Sequence, residues 1–401
     1  MQGAPAPVSA SGGQTGGDLA GVSVLVVGTH DPRYPRNRQV QRLLAAAGAD
    51  VRTRHVPLWG HTRYDALGGG VLGVVRFALR LVWAELRVAW AVLTSRRVDV
   101  VVVLFPGQAD AVVAGVLARL RRTPVVLDWF ISLADTMVTD RGLVAPRGAL
   151  ARVLSTVDRL AARLATVVLA DTPEGARFVA ETTGVDPAKV VTLPIRPDPA
   201  VFRPAPPDVD PVPGRVLFYG TFIPLHGIDT IVAAAAHPAC AELEVRVLGD
   251  GQERARIEAE ARTTGAPVTF RDPVDEQRLP SEIAAAEICL GIFGTTAKAA
   301  RVVPNKVLEC LAVGRPVVTA DTPAIMDLGD AVVRVPAGDP VALAETLAAL
   351  HADPDHRARL AVGGPEVLAG PYGEEVLAAS LSAVVGSLVA ATTPPAGASA
   401  A

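Results

Sequence analysis

Three things are scarce in this 401-residue chain, and each scarcity excludes something. Aromatic residues make up only 4%, so core volume has to come from Val, Leu, Ile and Ala, which suits parallel sheets wrapped by helices. There are three cysteines, Cys240, Cys289 and Cys310, far apart and without a C-x-x-C pair. That argues against a zinc site or a disulfide framework and fits a reducing compartment. A basic excess is missing: 38 Lys+Arg against 41 Asp+Glu leave a net charge of −3, which argues against nucleic acid as the main partner. Residues 1–21 hold no Lys or Arg and no apolar stretch of the signal-peptide kind. They are expected to be a disordered tail, as are residues 392–401.

What is present is apolar and periodic. Half of the residues are hydrophobic and 20% are charged, in a length that fits two to three domains. VSVLVV (22–27), VRTRHV, VDVVVVLF (98–105), PVVLDWF (124–130) and TVVLAD (166–171) are short apolar or β-branched runs separated by helical stretches. That alternation predicts βαβ units and a parallel, doubly wound sheet. It breaks at the proline-rich stretch 194–213, which reads as a semi-rigid linker. The DVD within that stretch is not read as a metal site. Alternation restarts with RVLFYG (215–220), LEVRVLG (243–249), PVTF (267–270), EICLGIF (287–293) and RPVVTA (315–320). The expected organisation is an α/β chain of two Rossmann-like domains facing across a cleft. The boundaries are 22–200, a linker 201–213, 214–372, and a helix 373–391 packing back on the first domain. Ligands of such sheets lie at the carboxyl ends of the strands.

Residues 291–320 carry the most chemistry. A loop with Thr295, Thr296, Lys298 and Arg301 leads into a helix that opens at Pro304 and bears Asn305, Lys306 and Glu309. A helix N-terminus offers free N–H groups and partial positive charge, so it suits phosphate, and the three cations add contacts. Glu309 follows Lys306 by three residues and shares its face, where a carboxylate can accept from sugar hydroxyls. The same spacing also fits a solvated loop with a Lys–Glu pair on an exposed helix.

PNKVLECLAVGRPVV resembles the donor-site signature of GT-B glycosyltransferases of family 4, in the branch with Pro-x-Lys-x-x-Glu, here Pro304, Lys306 and Glu309. RVLFYGTFIPLHGIDTIVAAA, VRVLGDGQERARIEAEA and ADTPEGARFVAETTGVDPAKVVTLPIRPDPAVFRP resemble further segments of the family in the same order. The resemblance covers residues 165–350. It implies a retaining, metal-independent enzyme with no cofactor beyond a nucleotide-sugar donor, in which the leaving diphosphate helps deprotonate the acceptor. It implies that Gly220, Thr221, His226 and Gly227 belong to the donor-binding loop. Arg301 stands where the family usually has the first of two Glu residues, and Thr221 and His226 stand where it usually has Arg and Lys. Arg301 in place of that Glu leaves a catalytically silent GT-B scaffold open, and a nucleotide-sugar epimerase, which shares the architecture, is the other open reading.

On the acceptor side Asp128 ends a strand and is expected to orient or deprotonate the acceptor hydroxyl; a cap or loop hydrogen bond is the alternative. Asp135, Asp140 and Arg141 follow it. Gly28 is expected to let a ligand approach the backbone. The stretch 71–93 is long enough to cross a bilayer but carries Arg76, Arg80, Glu85 and Arg87. Each charge costs roughly 2.5–3.5 kcal/mol at the centre of a membrane helix, so a span is rejected. Arg76, Arg80, Trp83, Arg87 and Trp90 share one face, the composition of a helix lying in a lipid interface. A solvated basic stripe is the alternative. The expectation is a cytoplasmic enzyme, peripheral on the inner face of a membrane, with a lipid-linked or glycan acceptor.

Overall fold

The computed structural model describes residues 19–58, 70–206 and 209–392. The expected tails at 1–18 and 393–401, and Asp208 of the DVD, lie outside these. The first half is a parallel sheet built from β1 (Ser23–Gly28), β2 (Asp50–His55), β3 (Val100–Val103), β4 (Val125–Asp128), β5 (Val167–Ala170) and β6 (Val190–Thr192). Their order is β2-β1-β3-β4-β5-β6. The helices α1 (Pro35–Ala46), α2 (Gly70–Thr94), α3 (Gln108–Leu120), α4 (Ala149–Leu164) and α5 (Pro173–Thr183) connect the strands.

The second half repeats the plan. Its strands are β7 (Arg215–Tyr219), β8 (Glu244–Leu248), β9 (Val268–Arg271), β10 (Ile288–Leu290), β11 (Val317–Ala320) and β12 (Val333–Val335). All are parallel, in the order β12-β11-β10-β7-β8-β9. Its helices are α6 (Ile228–Ala235), α7 (Arg254–Thr264), α8 (Leu279–Ala284), α9 (Asn305–Val313), α10 (Pro340–Ala352) and α11 (Pro354–Ala369). The fold is therefore α/β with two Rossmann-like units, as the alternation predicts. The central strands read as unbroken apolar runs because helices cover both of their faces. Strand order reverses between β7 and β10, the place where ligands of such sheets bind.

Folding tightens the expected boundaries. Leu19 is fully buried and its N–H donates to the Ala47 carbonyl, so the ordered chain starts ahead of residue 22. Ile195 and Phe202 already pack into the second core. α12 (Glu374–Thr392) buries Leu377, Leu381, Val385 and Leu388 in the N-terminal core with Leu43 and Leu44 of α1. Each such side chain, fully buried, is worth about 1.5–3 kcal/mol. Residues Pro354–Thr392 are long and apolar enough to cross a membrane by composition. The turn at Gly370–Gly373 breaks them into two helices, however, and α12 spends its apolar stripe on the protein.

Candidate active site

β7 delivers Tyr219 and then Gly220, whose φ of +145° suits glycine and few other residues. A Cβ at Gly220 would lie 2.9 Å from Nζ of Lys306. Gly227, at φ +60°, closes the same loop against the backbone of Phe293 and Gly294, where a Cβ would come within 2.5 Å of the Gly294 nitrogen. The loop is thus pressed over the first turn of α9, which opens at Pro304 without a side-chain cap. Lys306 is only 6% exposed, and its ammonium has no hydrogen-bond partner among the described residues. It rests 4.1 Å from the centre of the Phe218 ring, a cation–π contact. Burial pushes its pKa down to about 7, and the Glu309 charge resists that fall. A buried cation without a partner beside free helix N–H groups is a site prepared for an anion.

The His226 ring meets the Phe218 ring edge-on, with ring centres 5.7 Å apart. Its Nδ1 bonds the Thr221 carbonyl. Burial, then the Lys306 charge, holds its pKa well below the usual histidine value, so the ring is neutral. A carbonyl can only accept, so Nδ1 carries the proton and Nε2 is left as an acceptor. The neutral ring therefore has no second N–H to offer a phosphate. Thr221 and Thr295 are exposed.

Glu309 sits one turn into α9, and its Oε2 accepts from the Tyr219 hydroxyl at 2.6 Å. Burial pushes its carboxyl up to about 7, with Tyr219 pulling the other way. Glu309, Leu308 and Asn305 line a narrow crevice together with Glu276, Pro35 and the start of the linker at Ile195–Asp198. Lys306 and Glu309 are thus buried, not an exposed pair.

Lys298 and Arg301 point elsewhere. Nζ of Lys298 bonds Asp140 at 2.9 Å and Thr136 at 3.1 Å. Arg301 bonds Asp135 at 2.9 Å and stacks 3.8 Å from the Phe178 ring centre. The Thr172 hydroxyl donates to the Arg301 carbonyl at 2.6 Å. All of these partners come from the N-terminal half, so the loop reads as a clasp across the cleft. Asp128 also has another task. Its carboxylate is fully enclosed and paired with Arg36 at 2.9 Å, while Arg36 donates to the Leu193 carbonyl at 2.7 Å. No face of it is free for an acceptor. Gly28, at φ +136°, packs on the Asp110 carboxylate, where a Cβ would come within 2.6 Å.

Two sequence-family models match the chain: a glycosyl transferase 4-like domain over residues 16–196 and the glycosyl transferases group 1 over residues 213–353. The chain belongs to the GT-B glycosyltransferases of group 1. Its fold is shared with sucrose-phosphate synthase of Thermosynechococcus elongatus, at 18% identity and a TM-score of 0.67, covering 92% of this chain and all of that one. It is shared with HepE of Anabaena in complex with UDP and glucose, at 17% identity and a TM-score of 0.63, covering 91% of this chain and all of that one. A search of curated proteins finds no match.

For a glycosyltransferase of this group the reading of the sequence missed Tyr219, Glu276 and Arg36. Arg36 had a signal: it shares the inward face of α1 with Gln39, Val40 and Leu43, whereas Arg38 does not. Glu276 had none, because a loop carboxylate is unremarkable until the fold sets it beside α9.

Proposed function

We propose that the chain moves a sugar, with retention of configuration and without metal, from a nucleoside-diphosphate sugar to a lipid-linked or glycan acceptor held at a membrane. The observation that carries the donor half is the unpartnered, buried ammonium of Lys306 under the Gly220–Gly227 loop. In this reading Lys306 and the N–H groups of Asn305 and Lys306 hold the diphosphate, and Glu309 accepts from donor hydroxyls. Charge that develops on the leaving diphosphate meets a preorganised cation, the main electrostatic lever such a site has. The leaving diphosphate helps to deprotonate the acceptor, as the resemblance to the family implies. Lys298 and Arg301, paired with Asp140 and Asp135, close the cleft and are not assigned to phosphate. An inverted anomeric centre in the first product would remove the retaining part.

HepE, whose complex holds UDP, makes that nucleotide the first to try. In excess chelator, UDP, GDP and ADP are added in turn and the unfolding midpoint is read. One of them is expected to stabilise, by roughly 2.7 kcal/mol at a hundred times its dissociation constant. No shift with any of the three sinks the donor site, and a shift seen only with added magnesium or manganese sinks metal independence.

Support for the membrane half comes from the outer face of α2. Leu86 is 65% and Trp90 70% exposed, with Val75, Leu79, Val82 and Trp83 also outward. Arg76 and Arg87 are exposed beside them, and Arg87 lies 4.7 Å from the Trp83 ring centre. The acidic Glu85 turns inward next to Asp110. Burial pushes these carboxyls up to about 8 and about 6, which weakens their negative charge and leaves the outer face apolar and cationic. Leu120 of α3, 78% exposed, and Leu150 and Val153 of α4 also face outward. A patch of this kind marks an interaction site, and the arginines favour anionic lipid. Arg80 is tied to the Leu58 carbonyl at 2.9 Å, so the test spares it. Wild type should sediment with anionic liposomes and leave them as salt rises. Arg76→Glu/Arg87→Glu should bind about thirtyfold more weakly or worse, at about 1 kcal/mol per interfacial basic residue. Equal binding by the two proteins, or none by wild type, removes the membrane partner.

A further inference from the structure

Tyr219 lies in the second core at the end of β7, and no role has been given to it so far. Its hydroxyl donates to Oε2 of Glu309 at 2.6 Å, while the alternative acceptor, the Lys306 carbonyl, stands at 3.4 Å. The shorter bond decides the donor's direction. The Cys310 thiol lies 3.8 Å from the same oxygen and supplies the donor it can accept from. Burial pushes the phenol well above its usual pKa, so it remains a donor at every working pH. Oε1 of Glu309 has no hydrogen bond to any described residue, and Glu309 lines the crevice.

We propose that Tyr219 is a positioning residue for donor recognition: by holding Oε2 of Glu309 it fixes the carboxylate so that Oε1 is presented to a hydroxyl of the bound nucleotide. The inference rests on the reading that Glu309 contacts the donor. A tyrosine suits the task because its rigid ring is locked among buried side chains and its only freedom is the O–H rotor. The groups that bear on Glu309 come from every neighbouring element. Glu276 repels it from the loop before α8, Lys306 on its own helix and Arg38 of α1 attract it, and Arg196 and Asp198 of the linker share its crevice. Cys289 of β10 and Cys310 lie behind Tyr219. Among these, Tyr219 makes the direct hydrogen bond, and that bond offsets part of the rise that burial imposes.

The experiment measures affinity between pH 5.5 and 9 by calorimetry for wild type, Tyr219→Phe and Glu309→Gln. The probe is whichever of UDP, GDP and ADP stabilises wild type. Relative to Glu309→Gln, wild-type affinity should rise with pH through about 7, where the Glu309 carboxyl ionises; loss of the Lys306 proton, also near 7, weakens diphosphate binding in all three proteins and is read from Glu309→Gln. In Tyr219→Phe that rise should move up by about one pH unit, the size of one charge-assisted hydrogen bond. Glu309→Gln should lose that gain, keep only the fall that comes from Lys306, and bind more weakly at pH 8.5. A Tyr219→Phe profile that coincides with wild type, while Glu309→Gln shows only the fall from Lys306, overturns the positioning role and leaves the Glu309 reading standing. A Glu309→Gln profile like wild type, or no binding of any of the three nucleotides by wild type, overturns both. Tyr219→Phe removes only an oxygen, so a similar unfolding midpoint is the control for folding.

Discussion

Lys306→Met is expected to lose transfer by about a hundredfold and to unfold at a higher temperature than wild type. The two effects have one cause. The Lys306 ammonium is buried without a hydrogen-bond partner, with only the Phe218 ring and the more distant Glu309 charge to offset its lost hydration. Its pKa is 10.5 in an unfolded chain and about 7 in the fold. Between these values the unfolded chain binds more protons, so stability falls as pH drops from 10.5 towards 7, and the full cost persists below 7. Methionine fills the same space with no charge to desolvate. The gain in midpoint should therefore be a few degrees near pH 6 and shrink towards pH 10. A residue that costs stability where it stands fits a role in binding. Comparison of midpoints at pH 6 and pH 9.5, together with single-turnover transfer, checks both halves. A variant less stable than wild type at pH 6, or one transferring within a factor of two of it, would contradict the assignment.

How much of this was legible in the sequence depends on whether the cause was local. The central strands announced themselves because burial on both faces forces unbroken runs such as VVVV at β3 and VVLD at β4. β6 and β12 did not, being three residues each at the sheet edges. α11 escaped because Pro365 sits inside it. Lys306 and Glu309 were legible as a shared helix face, but their burial was not. It is supplied by Phe218 and Tyr219, side chains almost ninety positions upstream. The cationic loop at Lys298 and Arg301 shows the limit most plainly. Charge near a helix start reads as a phosphate site, and only the closed cleft reveals that Asp140 and Asp135 from the other half already hold both side chains.

The largest loss of stability is expected from Arg36→Met, about 3–5 kcal/mol, the cost of stranding a buried charge. The Arg36 guanidinium is fully enclosed, pairs with Asp128 at 2.9 Å and donates to the Leu193 carbonyl at 2.7 Å. Burial raises the pKa of Asp128 and lifts Asp171 to about 6, and Arg36 is the main opposing influence on each. Without it, two carboxyls face one another in the dry interior. Both would then titrate well above their unfolded values. Their protonated forms keep the fold at low pH, and stability is lost as pH rises through the raised pKa values. The variant should thus look closest to wild type near pH 5 and worst near pH 8. Adding Asp128→Leu removes one of the stranded carboxyls, and the double variant should recover much of the loss. This pair also tests the counter-ion role of Asp128 against the acceptor role expected from the sequence. If it deprotonates the acceptor, Arg36→Met/Asp128→Leu will fold but transfer nothing. If it is a counter-ion that ties α1 to the end of β4, the double variant will transfer at a rate within a few-fold of wild type per folded molecule. Stability and single-turnover transfer of the three proteins at pH 5, 6.5 and 8 decide between these outcomes, and the enclosed geometry of Asp128 favours the second.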